Sequence, residues 1–147
     1  MNPIVTVHHV GPKTPAAAKS VDFIRKIVLV LEVISPLMHR IRIRVAPLRA
    51  IDAGNGERAY GAFIPRKEPR ILIAGHHPGG LSGVAMTLFH EWTHYEQLRD
   101  GKLLSERGVT ARSKTLEKRV GDFFTRMVAE QDKRGRLVRR RKRGEVA

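Results

Sequence analysis

An α+β domain is what the 147-residue sequence predicts, and three observations predict it. Apolar residues recur at spacings of three and four in three separate stretches, near 15–34, 81–101 and 113–131. Short β-branched runs lie at 2–10, 40–45, 59–64 and 70–74. Strands cluster in the first half and helices close the chain, which fits a small, mostly antiparallel sheet backed by helices.

Each element has a local reason. Residues 2–10 (NPIVTVHHV) are short and β-branched, and read as a first strand. His8 and His9 at its end point to opposite faces and make a poor ligand pair. Thr14-Pro15 is a helix opening, with threonine as N-cap and proline at the first helical position. Val21, Ile24, Ile27, Val28, Leu31 and Ile34 then keep helical spacing up to Pro36. Because 27–34 is apolar almost all round, this supporting helix is expected to be covered on two sides. Residues 40–45 (RIRIRV) alternate strictly, predicting a strand that buries Ile41, Ile43 and Val45 and shows Arg40, Arg42 and Arg44 to solvent. Residues 47–58, with Gly54-Asn55-Gly56, read as a loop. The runs 59–64 and 70–74 read as a hairpin closed by 65–69. In the next helix Leu81, Val84, Ala85, Leu88, Trp92 and Tyr95 form one stripe, with Ser82 as N-cap and Gly101 as the C′ stop. After a polar connection, Ser113 caps a last helix carrying Leu116, Val120, Phe123, Phe124, Met127 and Val128.

Composition bounds the function. A chain of this length with 41% hydrophobic residues can build one core, expected to span 1–131. No cysteine is present, so disulfides and thiolate metal sites are excluded and any metal must be held by histidine and carboxylate. Met1–Val10 lacks a secretory pattern, and the longest apolar run, 27–34, is too short to span a bilayer and contains Glu32. A soluble cytoplasmic protein without membrane partners is the expectation. The formal charge is +14. Eight lysines and arginines from Lys133 to Arg143, against Glu145, supply +7 of it. Residues 132–147 are therefore expected to be a basic, disordered tail.

The residues that carry chemistry are His90-Glu91-Trp92-Thr93-His94, an H-E-x-x-H pentad within a helical stretch. Residues four apart share a helix face, so His90 and His94 can offer two imidazoles to one metal, as zinc prefers. Glu91 flanks that face and suits a general base for metal-assisted hydrolysis. On the helical wheel both histidines lie away from the apolar stripe, beside Gly83 and Thr87, and so look into a cleft. Catalytic zinc has three protein ligands, and no histidine follows His94. The carboxylates left are Asp100, Glu106, Glu117 and Asp122. Asp100 lies too far along the same helix, and Glu106 sits in a stretch without fixed geometry. Elimination favours Glu117 in the first turn of the last helix, with Gly121 one turn on allowing close approach.

This constellation resembles the minimal zincin metallopeptidases of the gluzincin type, which hold zinc with two histidines and a glutamate. The phrase TLFHEWTHYEQLRDGK in particular is similar to the active-site helix of small microbial zincins, some of which cleave repressors. The resemblance covers about 59–128 and implies a zincin-like domain with a supporting helix, an active-site helix and a third-ligand helix. It implies Zn2+ on His90, His94 and Glu117, Glu91 as catalytic base, and a polypeptide substrate bound as an extra strand along 59–64. Glu117 is followed by Gly121 and Asp122, which departs from the E-x-x-x-D pattern of larger gluzincins and leaves the carboxylate that would orient a histidine unassigned. For the oxyanion donor, Tyr60, His76, His77 and Tyr95 all stand open.

Two rivals come from other classes. The basic residues, above all Arg136, Arg139, Arg140, Arg141, Lys142 and Arg143, suit a nucleic acid or an acidic partner. No sequence-reading motif accompanies them, and 5% aromatic content gives little for base stacking. A zincin fold kept as a binding module without turnover is the other.

Overall fold

The computed structural model describes residues 4–52 and 56–142, with side chains through Gly135. The order of elements is β1 (Val5–His9), α1 (Pro15–Ile34), β2 (Ile41–Ala46), β3 (Ile51–Asp52), β4 (Arg58–Ala59), β5 (Gly61–Ile64), β6 (Arg70–Ala74), α2 (Gly80–Arg99) and α3 (Val109–Lys142). This is an α+β arrangement, as the patterning predicts.

The main sheet has strand order β1-β2-β6-β5. β1 pairs with β2 and β2 with β6 in parallel; only β5 and β6 run antiparallel, as the 65–69 hairpin requires. The expectation of a mostly antiparallel sheet is thus corrected. The reason lies in the connections. α1 intervenes between β1 and β2, and a helical crossover returns the chain in the same direction. β6 then takes the place beside β2 and leaves β5 at the free edge. Residues expected to form a plain loop supply β3 and the start of β4, a two-stranded antiparallel ribbon.

Local chemistry sets the helix ends. Thr14 Oγ1 accepts the Ala17 N–H at 3.2 Å, and Ser35 closes α1 ahead of Pro36. α1, through Val21, Ile24 and Leu31 among others, is buried against the sheet and against α2 and α3, while Leu29 and Val33 stay exposed, so the run 27–34 is not covered all round. In β2 the alternation holds: Ile41, Ile43 and Val45 are fully buried and Arg42 and Arg44 are exposed. α2 starts at Gly80 behind Gly79, without a side-chain cap, so Ser82 lies in the exposed first turn. Its C-terminus is a Schellman motif: Lys102 N–H donates to Gln97 O, Gly101 N–H donates to Leu98 O, and Gly101 takes φ +70°. α3 begins earlier than expected. Gly108, at φ +76°, turns the chain into Val109, and Ser113 sits one turn inside the helix, donating to Val109 O. Its small buried side chain lies against Thr93, where the two helices meet.

Val84, Leu88, Trp92 and Tyr95 of α2 join the sheet, α1 and the Leu116–Val120 face of α3 in one core. Beyond Phe124, α3 leaves it: Met127 and Val128 are exposed, and the helix continues to Lys142, past the boundary expected near Gln131. No helix of the described residues is long and apolar enough to cross a membrane.

Candidate metal centre

The side of α2 that bears the pentad borders a cleft of about 920 Å³. Its opposite wall is β5, the edge strand, contributing Gly61, Ala62 and Phe63, and a third side comes from Leu104, Ser105 and Glu106 in the α2–α3 connection. Strand and helix run close together because residue 61 has no side chain. A Cβ there would overlap Thr87 Cγ2 and sit 3.2 Å from Glu91 Cγ.

His90 and His94 stand one turn apart with ring centroids 5.2 Å from each other. Phe63 stacks over His94 at 6.5 Å. The Nε2 atoms of His90 and His94 lie 3.1 and 3.0 Å from the two carboxylate oxygens of Glu106. One ligand atom from each residue falls within 4.8 Å of the others, so this His-His-Glu group can hold a metal ion. A four-coordinate cation with bonds of about 2.1 Å sets its donors about 3.4 Å apart. The two imidazole–carboxylate spacings are each shorter than that by about 0.3–0.4 Å and are made to different oxygens of Glu106.

The glutamate in this group is Glu106, and not Glu117 as elimination suggested. Glu117 is exposed on α3 and is absent from the cleft wall and from the group. α3 presents Leu116 and Val120 to the core, which turns Glu117 outward. Glu106 lay outside the expectation because nothing local orders residues 102–108. In the fold, Ser105 N–H donates to Gln97 Oε1 and Gln97 Nε2 donates to Ser105 O, and this contact brings the next residue over the histidines. The sequence signal available was weak: an acidic residue in a short connection directly after an H-E-x-x-H helix.

Glu91 is 7% exposed. Among the described residues no hydrogen bond or ion pair reaches its carboxylate. Burial pushes its pKa up to about 7; the His94 charge lowers it and the Glu106 charge raises it, both by less than burial does. His94 is nearly buried, and its Nδ1 lies 3.0 Å from Gln97 Oε1.

Two of the four oxyanion candidates are engaged elsewhere. Tyr95 is buried and its hydroxyl accepts the Met38 N–H, while His76 Nε2 bonds Thr14 Oγ1. Tyr60 and His77 do line the cleft, their rings 4.1 Å apart and tilted by 46°, with His77 Nδ1 accepting the Gly79 N–H and its ring lodged where a Cβ on Gly83 would be. The side chains of Arg136, Arg139, Arg140, Arg141 and Lys142, and the whole of Arg143, lie outside the described residues.

No protein-family model matches the chain, and no match is found among curated proteins or among solved structures.

Proposed function

We propose that this cleft is the active site of a zinc-dependent peptidase of the gluzincin kind, with His90, His94 and Glu106 as ligands and Glu91 as general base. One observation carries the reading. Three side chains able to hold a metal converge beside a buried acid that has no partner among the described residues, on the wall of a cleft edged by a free strand. Strongly shifted acids in clefts mark functional sites more often than structural ones. The donor set of two imidazoles and one carboxylate, without sulfur, matches catalytic rather than structural zinc.

When bound, the ion supplies Lewis acidity, easing loss of a proton from water and polarising the scissile carbonyl. Glu91 takes that proton as the water oxygen bonds to the carbonyl carbon, then gives it to the amine nitrogen as the C–N bond breaks. Burial raises the Glu91 pKa and a bound cation beside it would lower it again, so the loaded site favours the carboxylate that accepts the proton. β5 offers its free edge to an extended peptide, which would pair with it as a further strand. Tyr60 and His77 bear on that bound chain rather than on the reacting carbonyl: Gly83, where His77 rests, precedes His90 by seven residues, about 10 Å along the helix.

The test pairs metal binding with cleavage of an unstructured polypeptide. Wild-type protein is expected to bind zinc and cleave. Glu91→Gln should keep zinc and lose cleavage by about 10²-fold or more, His90→Ala should lose both, and Glu106→Ala, which leaves the two imidazoles, should weaken zinc sharply but measurably and lose cleavage. Cleavage retained by Glu91→Gln would remove the base from the mechanism, and wild-type protein unable to bind zinc would end the reading.

A further inference from the structure

We infer that Gln97 is the positioning residue of the metal centre: one side-chain amide both sets the ring of His94 and fastens the segment that delivers Glu106. The inference rests on the metal-centre reading and adds to it how the third ligand is held.

The hydrogen bonds decide the orientation of the amide. Ser105 N–H, a donor only, lies 3.2 Å from one end of it, and Ser105 O, an acceptor only, lies 2.9 Å from the other. The end facing the N–H must be oxygen and the end facing the carbonyl must be nitrogen. That same oxygen lies 3.0 Å from His94 Nδ1. Since it can only accept, Nδ1 must carry the proton. Nε2 is the atom turned toward Glu106 and His90; as the site stands it lies 3.0 Å from Glu106 Oε1, an approach that needs a proton between them, and a metal ion in that proton's place would meet the Nε2 lone pair. Gln97 thus selects the tautomer of His94 that binds metal, a task often given to a carboxylate or a backbone carbonyl. The carboxylate lacking in the sequence pattern is replaced by this amide.

The same residue fastens the connection at two places. Its backbone carbonyl accepts the Lys102 N–H in the Schellman turn, and its side chain takes both backbone groups of Ser105. Apolar packing does little there: Leu103 is 91% exposed and Leu104 is also exposed. Glu106 is 74% exposed as well. Fixing each such residue costs about 1–2 kcal/mol of backbone entropy. The Gln97–Ser105 pair meets part of that cost before metal arrives, so the three donors are gathered in advance.

The experiment measures zinc affinity by competition with a chelating dye, and the visible spectrum of the cobalt(II) form, in full-length protein. Gln97→Met keeps length and bulk but removes every side-chain hydrogen bond. It is expected to weaken zinc by about 10–100-fold and to alter the cobalt spectrum, with wild-type far-ultraviolet circular dichroism. Gln97→Ala provides a second variant should Met not be tolerated. Because Gln97 acts partly through Glu106, the effect of Gln97→Met should shrink on a Glu106→Ala background, a non-additivity that a merely structural residue would not show. Zinc affinity within twofold of wild type in a folded Gln97 variant overturns the inference while the metal-centre reading stands. Full multiplication of the two effects also overturns it. Wild-type protein that binds no zinc overturns both.

Discussion

Two glutamates five residues apart on the same helix are buried to the same degree and have opposite fates. Glu96 is 6% exposed and Glu91 is 7% exposed. Glu96 receives Arg112 through two hydrogen bonds of 2.7 Å and Ser35 at 2.8 Å, with Arg99 close by. Burial alone would raise its pKa, but the bonds from Arg112 and Ser35 and the charges of Arg112 and Arg99 outweigh it and hold the carboxyl below its usual range. Glu91 has no such partners and is pushed up to about 7. A buried carboxylate with every lone pair answered is part of the framework. One left unanswered at the wall of a cleft is a candidate for chemistry, and the proposed function rests on reading Glu91 that way.

The largest effect is expected at the satisfied acid. Glu96 ties α2 to α3 through Arg112 and to the end of α1 through Ser35, which in turn accepts Trp92 Nε1. Glu96→Ala strands the partly exposed Arg112 guanidinium, while Arg99 keeps its bonds to Asp100, and should lower stability by about 3 kcal/mol in a urea titration at pH 7. A loss under about 1 kcal/mol would show that the network is decoration and undo the comparison. Acid should weaken the wild type through the same residue. Its folded pKa is lowered, so its contribution is complete above the unfolded value of 4.5 and fades as pH falls through the folded one.

The unanswered acid should respond with the opposite sign. In metal-free protein the folded pKa of Glu91, about 7, lies above its unfolded value of 4.5. Below pH 4.5 both states hold the proton and Glu91 penalises neither. Between 4.5 and 7 the unfolded state loses its proton first, and above 7 the folded state carries a buried charge at up to about 3 kcal/mol. Glu91→Gln removes that penalty. Metal-free Glu91→Gln should therefore gain on wild type between pH 4.5 and 8, by up to about 3 kcal/mol, as measured by urea midpoints across that range. A difference that does not change with pH would mean that Glu91 is solvated in the folded state.

The comparison also separates what local sequence encodes from what only the fold provides. The Thr14-Pro15 helix opening, the alternation of 41–45, the Gly101 stop and the shared face of His90 and His94 depend on contacts within a turn or on period alone. These were legible. The parallel pairing of β2 with β6 was not, because strand neighbours far apart in sequence leave no periodic trace. The start of α3 was misplaced because Ser113 has the chemistry of a cap but is used as a small contact against Thr93. The third ligand was missed for a related reason. Glu106 has its position through tertiary contacts, from Gln97 by way of Ser105 and from both histidines, whereas Glu117 had a predicted helix to stand on. Helical regularity is a poor guide to placement here, since the carboxylate that joins the two histidines comes from the irregular segment.

Glu117 is accordingly the smallest effect and the sharpest control. It is an exposed acid without an ion pair among the described residues, unlike either buried glutamate. It belongs to α3 one residue after Leu116, which is fully buried, so its own side chain faces solvent. Surface substitutions of this kind change stability by about 0.5 kcal/mol or less. Glu117→Ala should leave zinc affinity within about twofold of wild type, since a ligand histidine or carboxylate removed from such a site costs far more. Measured beside Glu106→Ala in the same competition assay, the two variants exchange the predictions made by helix regularity and by observed geometry. If Glu117→Ala alone released the metal, α3 would have to rotate by a third of a turn or more to bring that carboxylate inward. That rotation would expose Leu116 and Val120, the residues by which α3 holds to the core.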